Sequence, residues 1–206
     1  MNSTSNTKTH ALTQTAFISV LIILLQLISA LLIKLGFFSF SLVLVPVVVG
    51  GILMGPKYGA VFGGIFGIVV VLFCITGLDS GGFIIFNSDP LMCFIMCMTK
   101  GILCGFIPAL IYKILYNLCE KKYRDINVII VAVLSPIINT SVFVLFMFIF
   151  FRPLLTSWAG GTDILTYVIT GLVGINFIIE FLLNIIICPV IMPSLLKSRY
   201  VQKLIK

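Results

Sequence analysis

Residues 90–116, PLMCFIMCMTKGILCGFIPALIYKILY, decide the fold. They form a 27-residue apolar run, opened by Pro90, with two cations: Lys100 in its interior and Lys113 near its far end. A bilayer core of ~30 Å needs about 20 helical residues, so this run is long enough to span. Asp89 is a plausible N-cap and Pro90 a first-turn residue, which sets the start of the helix. Similar runs flank it on both sides. The first extends from Ala11 to Ile33, a short one containing Pro46 from Phe40 to Met54, and another from Ala60 to Thr76. Two more follow, from Val128 to Phe151 and from Ile164 to Met192. The reading is an all-α integral membrane protein of six transmembrane helices, with a short second helix that is tilted or buried against its neighbours.

Composition agrees. Of 206 residues, 61% are hydrophobic and 9% charged, and the mean hydropathy is +1.28. A soluble domain has about 25% charged residues, and a core of this size cannot hide the apolar excess; lipid must solvate it. The chain reads as one membrane domain over 1–206. A polar cytoplasmic N-terminus covers 1–10, the bundle 11–192, and a basic cytoplasmic tail 193–206. The first apolar run is read as a retained helix rather than a signal peptide, since no short apolar region with a cleavage site precedes it.

Between the runs lie connections. Gly55-Pro56-Lys57-Tyr58-Gly59 reads as a tight turn, and Gly77 to Pro90 and Arg152 to Asp163 as Gly-containing polar loops. With the N-terminus in the cytoplasm, Lys8, Lys57, Lys113, Lys121, Lys122, Arg124, Lys197, Arg199, Lys203 and Lys206 fall inside, and Lys34 and Arg152 outside. Such a bias predicts a multi-pass membrane protein with both termini cytoplasmic. The net charge of +7 is therefore an orientation signal, and no basic-aromatic module for nucleic acid accompanies it.

Polarity inside the spans is the sharper signal, because a charge at the bilayer centre costs at least ~2.5 kcal/mol. Lys100, Glu180, Asn139, Asn176 and Asn184 all sit in apolar runs. Counted from the outer ends of their runs, Lys100, Asn139 and Asn176 lie roughly 15–18 Å deep at 1.5 Å per residue. Asn176, Glu180 and Asn184 are spaced i, i+4, i+8 and share one face. Lys100 and Glu180 either form a buried ion pair or furnish the floor of a polar pocket, with Lys100 meeting a carboxylate and the amides holding other polar groups. Phe83, Asn87 and Trp158 in the two outer loops are candidates to cover it, the aromatics by stacking on a heterocycle.

Small residues form stripes. Gly59, Gly63 and Gly67 recur every fourth residue, as do Gly101 and Gly105, and such stripes let helices approach closely. Thr15, Ala16 and Ser19 give the first helix a small-residue face for internal packing or a partner helix. Of six cysteines, Cys74, Cys93, Cys97, Cys104 and Cys188 lie in apolar runs and Cys119 at a helix end. With no CxxC pair they read as small packing residues, and no metal site is expected.

The segments Gly50–Gly59, Lys100-Gly101, Pro136-Ile137-Ile138-Asn139-Thr140 and Asn176 to Asn184, in this order and with the short second helix, resemble the substrate-binding S components of energy-coupling factor (ECF) vitamin transporters. They look most like the Firmicute branch of pantothenate, folate and riboflavin binders. The resemblance covers nearly the whole length. It implies a non-enzymatic subunit that captures a small water-soluble vitamin from outside, with pantothenate slightly preferred. It also implies docking on a membrane coupling protein driven by two cytoplasmic ATPases, so that ATP is used by the partners and this chain carries no cofactor. The family's docking face usually has an Ala-x-x-x-Ala pattern; here Thr15-x-x-x-Ser19 and Ala16-x-x-x-Val20 stand nearest. An intramembrane enzyme is disfavoured because the one histidine, His10, lies in the N-terminal tail and no phosphate-binding loop is present. A stand-alone secondary transporter or channel remains the alternative, although one midplane Glu and no visible inverted repeat support it thinly.

Overall fold

A computed structural model of the chain describes residues 3–32, 34–35, 38–39, 42–118 and 124–197. The loop at 119–123, with Cys119 and three of its charges, and the tail at 198–206 lie outside the described residues. Nine α-helices are described: α1 (Ser3–Leu32), α2 (Leu44–Met54), α3 (Pro56–Thr76), α4 (Ser80–Ser88), α5 (Pro90–Leu118), α6 (Arg124–Phe150), α7 (Arg152–Ala159), α8 (Ile164–Tyr167) and α9 (Gly174–Lys197). A π-helical segment, Val168–Val173, joins α8 to α9. A minimal antiparallel hairpin pairs Lys34 with Ser39 and Leu35 with Phe38, at the break expected after the first span.

Among the described residues, five helical segments are long and apolar enough to cross a bilayer: Ala11–Leu31, Pro56–Thr76, Pro90–Leu118, Asp125–Phe150 and Asn176–Leu195. The short second helix is α2, whose 11 residues rise about 16 Å, roughly half a hydrocarbon core. It is buried along nearly its whole length, from Leu44 to Val48 and again from Gly50 to Ile52, so it is an interior element. The final span is a composite of α8, the π-helical segment and α9.

Helix ends follow local chemistry. Asp89 Oδ1 accepts the Met92 backbone N–H at 3.0 Å and starts α5, with Pro90 as its first residue. The turn expected over five residues at Gly55 contracts to one: Gly55 takes φ +96, which a side chain resists, and α3 begins at once with Pro56. Gly77, at φ +74, ends α3. The two polar loops expected after α3 and α6 are largely helical. Asp79 Oδ1 accepts the Gly82 N–H at 3.2 Å and nucleates α4, while α7 begins with Arg152-Pro153 and ends at Gly160.

The bundle is organised around α3 and α5, which run antiparallel and pack backbone against backbone. A Cβ at Gly63 would overlap the Gly101 carbonyl oxygen, one at Gly59 the Gly105 carbonyl oxygen, and one at Gly67 would lie 2.8 Å from the Cys97 carbonyl oxygen. The two glycine stripes thus face each other and serve packing within the chain. Helix α6 packs on α5, α9 on α6, and α1 lies outermost on α2 and α3. The apolar core has a large part around Phe62, Phe66, Ile85 and Phe151 toward α4 and α7, and a smaller part around Val48, Tyr112 and Val131 toward the other end.

Candidate functional site

Helices α5, α6 and α9 leave a polar cavity between them, of about 80 Å³. Lys100 of α5, Asn139, Thr140 and Phe143 of α6, and Asn176, Phe177 and Glu180 of α9 line it. Leu172 and Val173, from the π-helical segment, and Asp79, the N-cap of α4, complete the wall. The structure therefore brings together the four intramembrane polar residues Lys100, Asn139, Asn176 and Glu180, contributed by three separate helices.

Their contacts are specific. The Asn139 Nδ2 donates to Glu180 Oε2 at 3.4 Å, tying α6 to α9 with both residues buried. Asn139 Oδ1 is buried with no hydrogen-bond partner among the described residues. A buried amide acceptor without a donor costs roughly 1–3 kcal/mol, which a solute donor would recover. The Lys100 ammonium lies over the Phe143 ring, 5.6 Å from its centroid, a cation–π arrangement. Below Glu180, Asn184 Nδ2 donates to the Glu180 carbonyl oxygen at 2.8 Å, so the third member of the i, i+4, i+8 face closes on its own helix.

Asp79 is a residue that counting depth along the spans does not find, because it precedes a short helix that reads as loop. Burial pushes its carboxyl above the ordinary value of 3.8; the Gly82 N–H and the Lys100 charge oppose that shift without overcoming it. The cavity thus holds one cation facing two carboxyl groups, Asp79 and Glu180. The aromatic walls, Phe143 and Phe177, also escape the sequence reading. One available signal is that Phe143 lies one helical turn beyond Asn139 and Phe177 directly follows Asn176.

The three outer-loop candidates sit elsewhere. Phe83 and Asn87 lie on exposed positions of α4, and Asn87 Nδ2 donates to the Phe83 carbonyl oxygen at 2.9 Å. Trp158 is half-buried on α7 and packs against the large apolar core. None of the three lines the cavity. On α1, Thr15 Oγ1 donates to the Ala11 carbonyl oxygen at 2.8 Å and approaches Met54 Sδ at 3.9 Å, and Ser19 Oγ donates to the Thr15 carbonyl oxygen at 2.7 Å. These hydroxyls return to their own helix, whereas Ala16 is exposed beside Phe17 and Val20.

An apolar bundle with charged and amide side chains gathered around a cavity at mid-span is the architecture of a solute-binding membrane subunit. No curated protein sequence matches the chain. The sequence model of the family described as "ECF transporter, substrate-specific component" matches residues 10–192, which take in the first four spans, the fifth as far as Met192, and every cavity residue. That family comprises subunits of transporters and not enzymes. The chain belongs to the ECF transporter substrate-specific component family, as a multi-pass membrane subunit that selects the transported solute.

Proposed function

We propose that this subunit captures a small water-soluble vitamin from outside the bacterial cell and delivers it through a membrane coupling protein powered by two cytoplasmic ATPases. The observation that carries the reading is the convergence of Lys100, Asn139, Asn176 and Glu180 on one cavity within an otherwise apolar bundle. Placing such groups in lipid is expensive unless they serve a polar partner. The solute class follows from the donors and acceptors present. Lys100 offers a cation to a carboxylate, Glu180 and the Asn139 Oδ1 accept from hydroxyl or amide donors, and Phe143 and Phe177 give apolar walls. Pantothenate carries a carboxylate, an amide and hydroxyl groups, and is the preferred ligand.

At about 80 Å³ the cavity is smaller than the roughly 300–1,000 Å³ of ligand pockets, so capture requires it to widen. The π-helical segment supplies two wall residues and is a place where backbone hydrogen bonding is already rearranged. The test is a thermal-shift screen of the purified protein against water-soluble vitamins, followed by titration of Lys100→Ala. Pantothenate should raise the melting temperature, and the variant should bind it more than ~10-fold more weakly, a loss of at least about 1.4 kcal/mol. Stabilisation by another vitamin alone would reassign the ligand. Unchanged affinity in a folded Lys100→Ala protein would remove this cavity from recognition.

A further inference from the structure

Three cysteines that the sequence divides between two helices meet inside the bundle. Cys74 lies three residues before Gly77, the end of α3, while Cys93 and Cys97 lie one turn apart near the start of α5. Their Sγ atoms all lie within 4.8 Å of one another, and all three residues are buried. Their meeting depends on the glycine contacts described above. With Gly67 against the Cys97 carbonyl, the last turns of α3 lie directly on the first turns of α5. Three thiolates at ~2.3 Å from a common metal stand about 4 Å apart, so the observed triangle is close to the size of a ligand set.

The surroundings favour a particular charge. Lys100 lies three residues beyond Cys97 and therefore on the same side of α5. Above the cluster sits α4, where Gly82 packs so closely on Cys74 Sγ that a Cβ there would overlap the sulfur. The cluster is thus sealed by a short helix, one turn below the ends of α3 and α5.

We propose that Cys74, Cys93 and Cys97 form a binding site for a divalent thiophilic cation of the zinc or cadmium type, held as a tris-thiolate beneath α4. Thiolates select soft and borderline metals over calcium or magnesium. Binding exchanges protons for metal: M²⁺ + 3 RSH → M(SR)₃⁻ + 3 H⁺, with the protons leaving to buffer. The resulting single negative charge matches the one positive charge of Lys100. A monovalent copper ion in the same set would leave two negative charges against that single cation, which makes the divalent ion the better fit. The site is separate from the solute-binding proposal in its ligands and shares only the neighbouring ammonium.

The experiment uses full-length protein in detergent, reduced and stripped with chelator, and titrated with Cd²⁺. The expected result is an ultraviolet sulfur-to-cadmium charge-transfer band that saturates at one-to-one stoichiometry, accompanied by proton release. Cys74→Ser, Cys93→Ser and Cys97→Ser should each weaken binding more than ~10-fold, while Cys104→Ser and Cys188→Ser should retain it. A second measurement needs no variant: X-ray absorption at the cadmium edge of the loaded protein should show three sulfur neighbours. Absence of the band at stoichiometric cadmium, its persistence in Cys74→Ser, or a cadmium shell of oxygen and nitrogen alone would each overturn the assignment. Vitamin binding measured in the same samples reads the solute cavity separately, so failure of one reading leaves the other decided on its own data.

Discussion

The Asn139 side-chain amide and the Glu180 carboxylate bridge α6 and α9 across 3.4 Å at the wall of the polar cavity. The contact ties the two helices together and leaves Asn139 Oδ1 without a donor among the described residues, on a side chain that lines the cavity. Under the proposed function these two residues would act on a solute as a unit.

That unity is measurable by a double-mutant cycle. Asn139→Ala and Glu180→Gln should each weaken vitamin binding by more than ~10-fold, and the double variant should be less impaired than the product of the two. Residues sharing a hydrogen bond typically show couplings of about 0.5–3 kcal/mol. Isothermal titration of the four proteins supplies the cycle, and strict additivity would mean that the two side chains meet the solute independently.

The glycine contact between α3 and α5 makes an asymmetric prediction about neighbours. Gly63→Ala drives a methyl group into the Gly101 carbonyl and should lower the melting temperature sharply or prevent folding. Gly64→Ala, one residue on, meets only Ile102 Cγ1 at 3.8 Å, an ordinary contact. There the helix-propensity gain of about 0.5–1 kcal/mol should leave the protein as stable as wild type or more so. Equal melting temperatures for the two variants would contradict the packing described.

Asp79 predicts a pH dependence with a definite sign. Its carboxyl holds the proton to higher pH in the folded protein than the ordinary value of 3.8, because burial disfavours the charge. The folded state then binds more protons than the unfolded state, so stability falls as pH rises from 3.8 to the raised folded value, and is level above it. Asp79→Asn should abolish that slope while keeping the cap on Gly82, since Asn caps helices about as well as Asp. Asp79→Ala should lose the cap as well, at a further cost of about 1 kcal/mol. Thermal melts of the three proteins over an acidic pH series read both effects.

The proposed coupling to ATPase partners is tested on α1. Ala16 is exposed and remote from the cavity, so Ala16→Trp should leave vitamin affinity unchanged while blocking ATP-driven uptake in cells carrying the whole transporter. Thr15 is a poorer probe, because a tryptophan there strikes Met54. Normal uptake with Ala16→Trp would place the docking surface on another helix.

Much of this architecture was legible in the chain because lipid imposes length and polarity rules that side-chain packing does not blur. The span starting at Pro90 carries its own signals, Asp89 and Pro90. The facing glycines of α3 and α5 are visible as fourth-residue stripes. Depth was countable as well, which is why Lys100, Asn139 and Asn176 were singled out together. Rotation about the helix axes was not. Phe143 and Phe177 point into the cavity from helices that are apolar all round, where periodicity carries little information. Composition points to loops over α4 and α7, through Gly81-Gly82 in the first and Gly160-Gly161 at the end of the second; the Asp79 cap and a proline first turn prevail in the structure. The meeting of Cys74 with Cys93 and Cys97 depends on how two helices align, and spacing along a chain does not record that.

The bare backbone-to-backbone contact of α3 with α5 has a mechanical consequence. With no side chains between Gly63 and Gly101 to change rotamer, the two helices cannot slide or roll without carbonyl meeting α-carbon, so they behave as a single stiff beam. Lys100 rides on that beam, while Asn139, Asn176 and Glu180 hang from helices joined to it through pliant side chains. A widening of the cavity would then move α6, α9 and the π-helical segment about a stationary cation.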